Sequence, residues 1–222
     1  VETEAPIVSL LGHTKETIAK ITEDFDSPND DYDPVLLVRD HEDKVAFLGI
    51  GADMNDGDAK EEVAKFMFAV ISVLRAKEAV FVSSTWMVKD LRDGDVEDGH
   101  LTVMPRDHPN RVEAVTLMHA SLDGDAIHQA EIFRTQDKPP TIGEWNVMAT
   151  GELQGRFGYA LRDGLKVGRK LASDETPPEI VEFMNKAIAD GDLEGLARSF
   201  MNAATKARER FEQDRRKDEE EE

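Results

Sequence analysis

Two histidines, His119 and His128, stand on either side of an Asp123-Gly124 pair, each inside a strand-like run: RVEAVTLMHASL before it and AIHQAEIFRT after it. Asp-Gly between two such runs predicts a two-residue hairpin turn. Paired residue numbers then sum to 247, setting Glu113 opposite Arg134, Val115 opposite Ile132, Leu117 opposite Ala130 and His119 opposite His128. All four pairs share one face, because side chains alternate across a pleated strand. Facing Cβ atoms lie ~5 Å apart, so the two imidazoles could share a zinc or iron ion. A third ligand would come from the polar loop ahead of the hairpin, from His108, His100 or Asp107. Two histidines and one carboxylate form a known iron-binding set. The plainer alternative is a sheet end with two half-buried histidines that bind nothing, and it is preferred because histidine pairs are common.

The segment Pro105-Arg106-Asp107-His108-Pro109-Asn110-Arg111 gathers groups that bind anions or orient water. No nucleophile stands at a fixed offset from it, so it reads better as a proline-stiffened connection that sets up the next strand. Other chemistries are excluded outright. The chain has no cysteine, which removes disulfides, thiolate metal sites and cysteine nucleophiles. Gly151, Gly155 and Gly158 fit neither phosphate-loop spacing. There is no G-x-S-x-G elbow and no H-E-x-x-H pair. The acidic runs around Asp30 and Asp93 lack the ligand order of a calcium loop.

The elements that must position these residues are legible from periodicity. Residues 14–25 read as a short helix capped by Thr14, with Ile18, Ile21 and Phe25 on one side. Runs at 35–38 and 44–50 read as a strand pair. Residues 58–77 carry apolar side chains at Val63, Phe66, Met67, Val70, Ile71 and Leu74, the spacing of one helical face. Asp58 and Glu61 suit its first turn and Arg75 and Lys77 its last, so this helix is expected to plug the sheet. A third strand follows at 79–89, with Val80, Val82, Ser84, Trp86 and Val88 on one face. Residues 90–110 form a long polar loop, and loops of that length are usually functional or disordered. Beyond 136 the pattern weakens: Pro139, Pro140 and scattered glycines give a connector of uncertain structure. Two amphipathic helices close the chain, one opened by Thr176-Pro177-Pro178-Glu179 and one by Asp192, before a charged tail.

At 222 residues, with 47 acidic side chains against 27 basic, the formal charge is −20. Direct contact with nucleic acid or an anionic membrane is disfavoured. The charge fits a solubilising surface; a high-salt host, or a surface that imitates DNA to occupy a basic protein, are the competing explanations. No apolar run approaches the ~20 residues of a membrane span, and residues 1–12 lack the pattern of a signal peptide. A cytoplasmic protein is expected, or a virion component if the chain is phage-encoded.

The order helix, strand, strand, helix, strand, strand, strand over residues 14–136 resembles the profilin/roadblock class in element order alone. Trp86 at a strand end, followed by Pro105-x-x-His108-Pro109-x-Arg111 opening the next strand, resembles uncharacterised bacterial and phage proteins. That resemblance covers residues 79–135, implies a phage or accessory prokaryotic origin, and brings no catalytic residue with it.

The expected architecture is therefore α+β: an antiparallel five-stranded sheet packed by a long central helix, with a C-terminal helical extension. The expected divisions are an arm at 1–13, the α+β core at 14–136, a connector at 137–171, and the extension with its acidic tail at 172–222. The expected function is a non-catalytic interaction or structural protein, working through a protein partner or by self-association through the C-terminal helices, without a cofactor. Two alternatives compete with it. One is a metal-dependent hydrolase or oxygenase, with zinc or iron at His119, His128, His108 and Asp107. The other is an acidic DNA-mimic inhibitor.

Overall fold

In the computed structural model, residues 9–54, 56–92, 94–97, 100–173 and 176–202 are described. In chain order the elements are α1 (Leu10–Glu23), β1 (Val35–Asp40), β2 (Val45–Gly49), α2 (Gly57–Val73), β3 (Ala76–Val88), β4 (Val96–Glu97), β5 (His100–Leu101), β6 (Arg111–Ser121), β7 (Asp125–Thr135), β8 (Lys138–Ile142), β9 (Asn146–Thr150), α3 (Gly155–Leu171) and α4 (Pro178–Ala189). A 3-10 turn occupies Pro105–Asp107, and residues 193–202 are helical. Among the described residues, no helix is long and apolar enough to cross a membrane.

The protein is α+β with an antiparallel sheet, but the sheet exceeds the expected five strands. Its order is β2-β1-β3-β6-β7-β8, and β9 also pairs with β7. The added strands come from the segment read as a connector. β8 contains Pro139 and Pro140, and proline is tolerated at a sheet edge because it has no N–H to donate to the ladder. β4 and β5 pair separately as a two-stranded hairpin inside the long loop.

The chain divides into two compact units, one of residues 1–37, 45–51 and 78–153, the other of residues 38–44, 52–77 and 154–222. In the first, α1 lies on the sheet face that carries the histidines. Leu10 and Ile18 share a core with Val35, Leu37, Val80, Val82, Val115, Leu117 and Ile132. The helix begins five residues earlier than a Thr14 cap would set it. Ser9 is the cap and accepts from Gly12 N at 3.1 Å, while Thr14 is buried inside, its hydroxyl donating to Leu10 O at 2.8 Å. A threonine satisfied by the preceding turn no longer needs a terminus. At the far end of α1, Thr22 meets the Tyr32 hydroxyl at 2.6 Å and Phe25 packs edge-on against the Tyr32 ring. Arg134 then ties the following acidic loop to the sheet. Its guanidinium donates to both oxygens of Glu113, at 2.6 and 2.9 Å, and to the carbonyls of Asp30 at 2.6 Å and Pro28 at 3.2 Å.

In the second unit α2 pairs with α3. Asp56, not Asp58, caps α2, and Arg75 adopts a positive φ of 51° where the helix has already ended. Arg156 at the start of α3 donates to Gly57 O at the start of α2, while Gly164 and Gly168 meet Phe68, Ile71 and Ala76 near its end. The two helices therefore run parallel. Gly164, one of the glycines that weakened the sequence reading of α3, lets the backbones approach, as does Gly168, whereas Gly155 has open space beside it. Val73, Met184 and Leu196 form a further core with Ile188, Leu193 and Phe200, and Phe68 contacts Phe200 with ring centroids 6.1 Å apart. The apolar stripes of the C-terminal helices are thus largely used within this unit, leaving Ile180 and Phe183 exposed. The charged tail after residue 202, and the arm before residue 9, lie outside the described residues.

Candidate functional site

β6 and β7 form the predicted hairpin, shifted by two residues. The pairs sum to 245: Val115 faces Ala130, Leu117 faces His128 and His119 faces Ala126. The turn is centred on Leu122 and Asp123 because Ser121 closes it. Ser121 N and Oγ both donate to Gly124 O, at 3.1 and 2.9 Å, and the Ser121 hydroxyl accepts from Asp123 N at 3.2 Å. Gly124 takes a positive φ of 151° to leave that turn. A shift of two preserves which face each side chain occupies but replaces every partner. His119 and His128 therefore share a face as diagonal neighbours rather than as a facing pair. On the other face Thr116 meets Gln129, whose amide donates to the Thr116 hydroxyl at 2.9 Å, in place of Glu131.

Each histidine finds its own partner. His119 Nε2 lies 3.0 Å from Glu78 Oε1, and both side chains are nearly buried. The second Glu78 oxygen accepts from the Leu10 amide at 3.3 Å. That amide opens α1, where the helix dipole favours a carboxylate. His128 Nδ1 lies 3.1 Å from Lys15 Nζ. An ammonium has only protons to offer, so the geometry assigns Nδ1 as acceptor and the imidazole as neutral. Burial first, then the nearby Lys15 and His119 charges, hold His128 below the ordinary imidazole range. Burial likewise lowers Lys15, which also rests over the Trp145 ring at 5.6 Å. Glu78 and Lys15 complete this cluster, and sequence reasoning missed both. Their signals are modest: Glu78 is the one acidic residue on the strand face shared with Val80 and Val82, and Lys15 falls on the Leu11–Ile18 side of α1.

The other two expected ligands stand elsewhere. His108 is buried just before the first residue of β6, whereas His119 is near its last. Eight residues of strand at ~3.3 Å each separate the two ends by roughly 26 Å. His108 Nδ1 accepts from Asn110 N at 3.0 Å, and its Nε2 is 3.3 Å from Asp95 Oδ1, too poorly aligned for a good hydrogen bond. Together with Arg111 N donating to His108 O at 3.1 Å, this makes the Pro105–Arg111 segment an anchor for β6. Asp107 points to solvent beside Arg106. The His100 side chain lies outside the described residues. Among those described, no three His, Asp or Glu side chains are placed together to hold a metal ion. The histidine cluster fastens α1 to the sheet: one carboxylate and one imidazole each receive a bond from the helix.

A different feature lies on the sheet face opposite the histidines. Met87, Phe133 and Met148 line a shallow groove of about 390 Å³, part of it open to solvent, with Lys89, Glu131 and Glu144 around it. Lys89 and Glu131 form an ion pair. Phe133 and Met148 are half exposed, at 50% and 51%, and Val147, paired with His128 and so on the other face, is exposed to 57%. β9 pairs with β7 on one side, and among the described residues no strand pairs with its other side. Comparison of the chain with family models, with curated proteins and with solved structures finds no match.

Proposed function

We propose that this chain is a non-catalytic protein that acts through protein–protein contacts. The reading rests on one observation: Phe133 and Met148 present large apolar side chains to water together on one face at the β7–β9 edge of the sheet. In a chain of net charge −20, with charged residues making up 33% of the sequence, solvation has ample alternatives to apolar groups at that edge. Clustered exposed apolar surface of this kind marks sites of association. The polar groups that could have argued for chemistry bond to one another instead, Glu78 with His119 and Lys15 with His128.

Sedimentation velocity across a concentration series, with cross-linking capture from source cells, tests this reading. The expected result is a saturable complex of fixed stoichiometry, with itself or with a second protein. A monomer at every concentration that retains nothing saturably would refute it.

A further inference from the structure

We infer that the free edge of β9 accepts an extended segment of a basic partner protein, which adds as a further strand and sets alternate apolar side chains beside Met148, at the β9 end of the groove. The inference rests on the interaction reading above and names its surface and its occupant. Three observations converge on it. First, the outward edge of β9 leaves backbone donors and acceptors without a strand partner among the described residues, and all five of its residues are exposed. Such an edge is a template for strand addition, in which main-chain bonds supply affinity.

Second, Met148 lies on β9 itself and lines the groove beside Phe133. A strand added outside β9 would set a side chain ~5 Å from Met148, where the register of β9 against β7 shifts, while Phe133 and Met87 lie further in on β7 and β3. Met148 suits an unbranched or γ-branched apolar side chain, because a thioether adapts its shape to what packs against it.

Third, charge selects the partner. Of the charged groups around the groove, Lys89 is already paired with Glu131, which leaves Glu144 at the rim without an ion-pair partner among the described residues. The whole chain adds a field of −20. Cationic segments are steered in and acidic ones repelled, a second copy of this chain among them. The occupant is therefore a strand alternating basic and apolar residues.

The test uses the full chain and a fluorescein-labelled decapeptide alternating lysine and leucine, with a lysine–serine decapeptide of equal charge as comparison, read by anisotropy at 0.15 M salt. The lysine–leucine peptide is expected to bind at least about tenfold more tightly than the lysine–serine one, and Met148→Glu to weaken it by about tenfold. That substitution makes the chain more acidic, so attraction by charge alone would strengthen or stay the same. Phe47→Glu, on the exposed face of β2 at the other edge of the sheet, is expected to change nothing. Undiminished binding to Met148→Glu, an equal loss with Phe47→Glu, or no binding of the lysine–leucine peptide would each overturn the inference. If a saturable complex still forms in the capture experiment, only the β9 surface is removed and the interaction reading stands.

Discussion

Replacing Gly164 with alanine separates two effects of opposite sign. In an exposed helix the change would stabilise by about 1 kcal/mol, because glycine surrenders more backbone freedom than alanine. At Gly164 an added Cβ would lie 2.9 Å from Ile71 Cβ, 3.0 Å from Ile71 Cγ2 and 3.1 Å from Phe68 O. Carbon atoms rest at about 3.5–4.0 Å, so α3 must retreat from α2 by roughly 0.6–1 Å or Ile71 must leave its place. Ile71 is fully buried and Phe68 O is backbone, so neither yields freely. Overpacking of this kind costs about 1–3 kcal/mol. Gly164→Ala is therefore expected to destabilise despite its better helix propensity, moving Tm down by about 2–4 °C for each kcal/mol in a chain of this size. Gly57, at the first position of α2, has open space around its missing Cβ, and Gly57→Ala serves as the comparison. Urea denaturation should shift the Gly164→Ala midpoint down and leave Gly57→Ala level or slightly up, at constant slope. A Gly164→Ala protein stabilised as much as its propensity allows would refute the close parallel packing of α2 and α3.

The remaining predictions concern the ties of α1 and its loop to the sheet. Because His128 is held below the ordinary imidazole range, the unfolded chain takes up its proton first as the solution is acidified. Its contribution is whole above about pH 6.5 and is lost as pH falls from there through the folded-state pKa. His128→Gln should flatten the stability profile between neutral and mildly acidic pH, as read by urea midpoints. Lys15→Met should raise the His128 titration midpoint seen by NMR; an unmoved midpoint would rule out the Lys15 contact. Arg134→Ala strips Glu113, only 14% exposed, of its bidentate partner and frees the carbonyls of Pro28 and Asp30. The expected loss is about 2–4 kcal/mol, with Arg134→Lys restoring less than half because an ammonium cannot reproduce the fork. A loss under about 0.5 kcal/mol would show that the loop is not held through Arg134.

Local chemistry alone determined α1, α2 and α4, the hairpin and the division of its strand residues between faces. These follow from the 3.6-residue and two-residue periods, which are properties of the backbone and survive any packing. Hence His119 and His128 share a face, as expected, and Glu113 still reaches Arg134 although the register of the hairpin moved by two residues. Register did not follow, because it depends on which donors close the turn, and Ser121 won that competition over Asp123-Gly124. With the register moved, the histidines took partners from α1 and β3, and no pattern within β6 or β7 could have named Lys15 or Glu78. The same limit hid α3: glycine in isolation argues against a helix, and only a second backbone at contact distance turns Gly164 and Gly168 into the reason that helix has its place. β8 and β9 were unreadable for a related reason. An edge strand needs neither a two-faced apolar pattern nor every amide, so its sequence carries little beyond the pairing that its neighbour supplies.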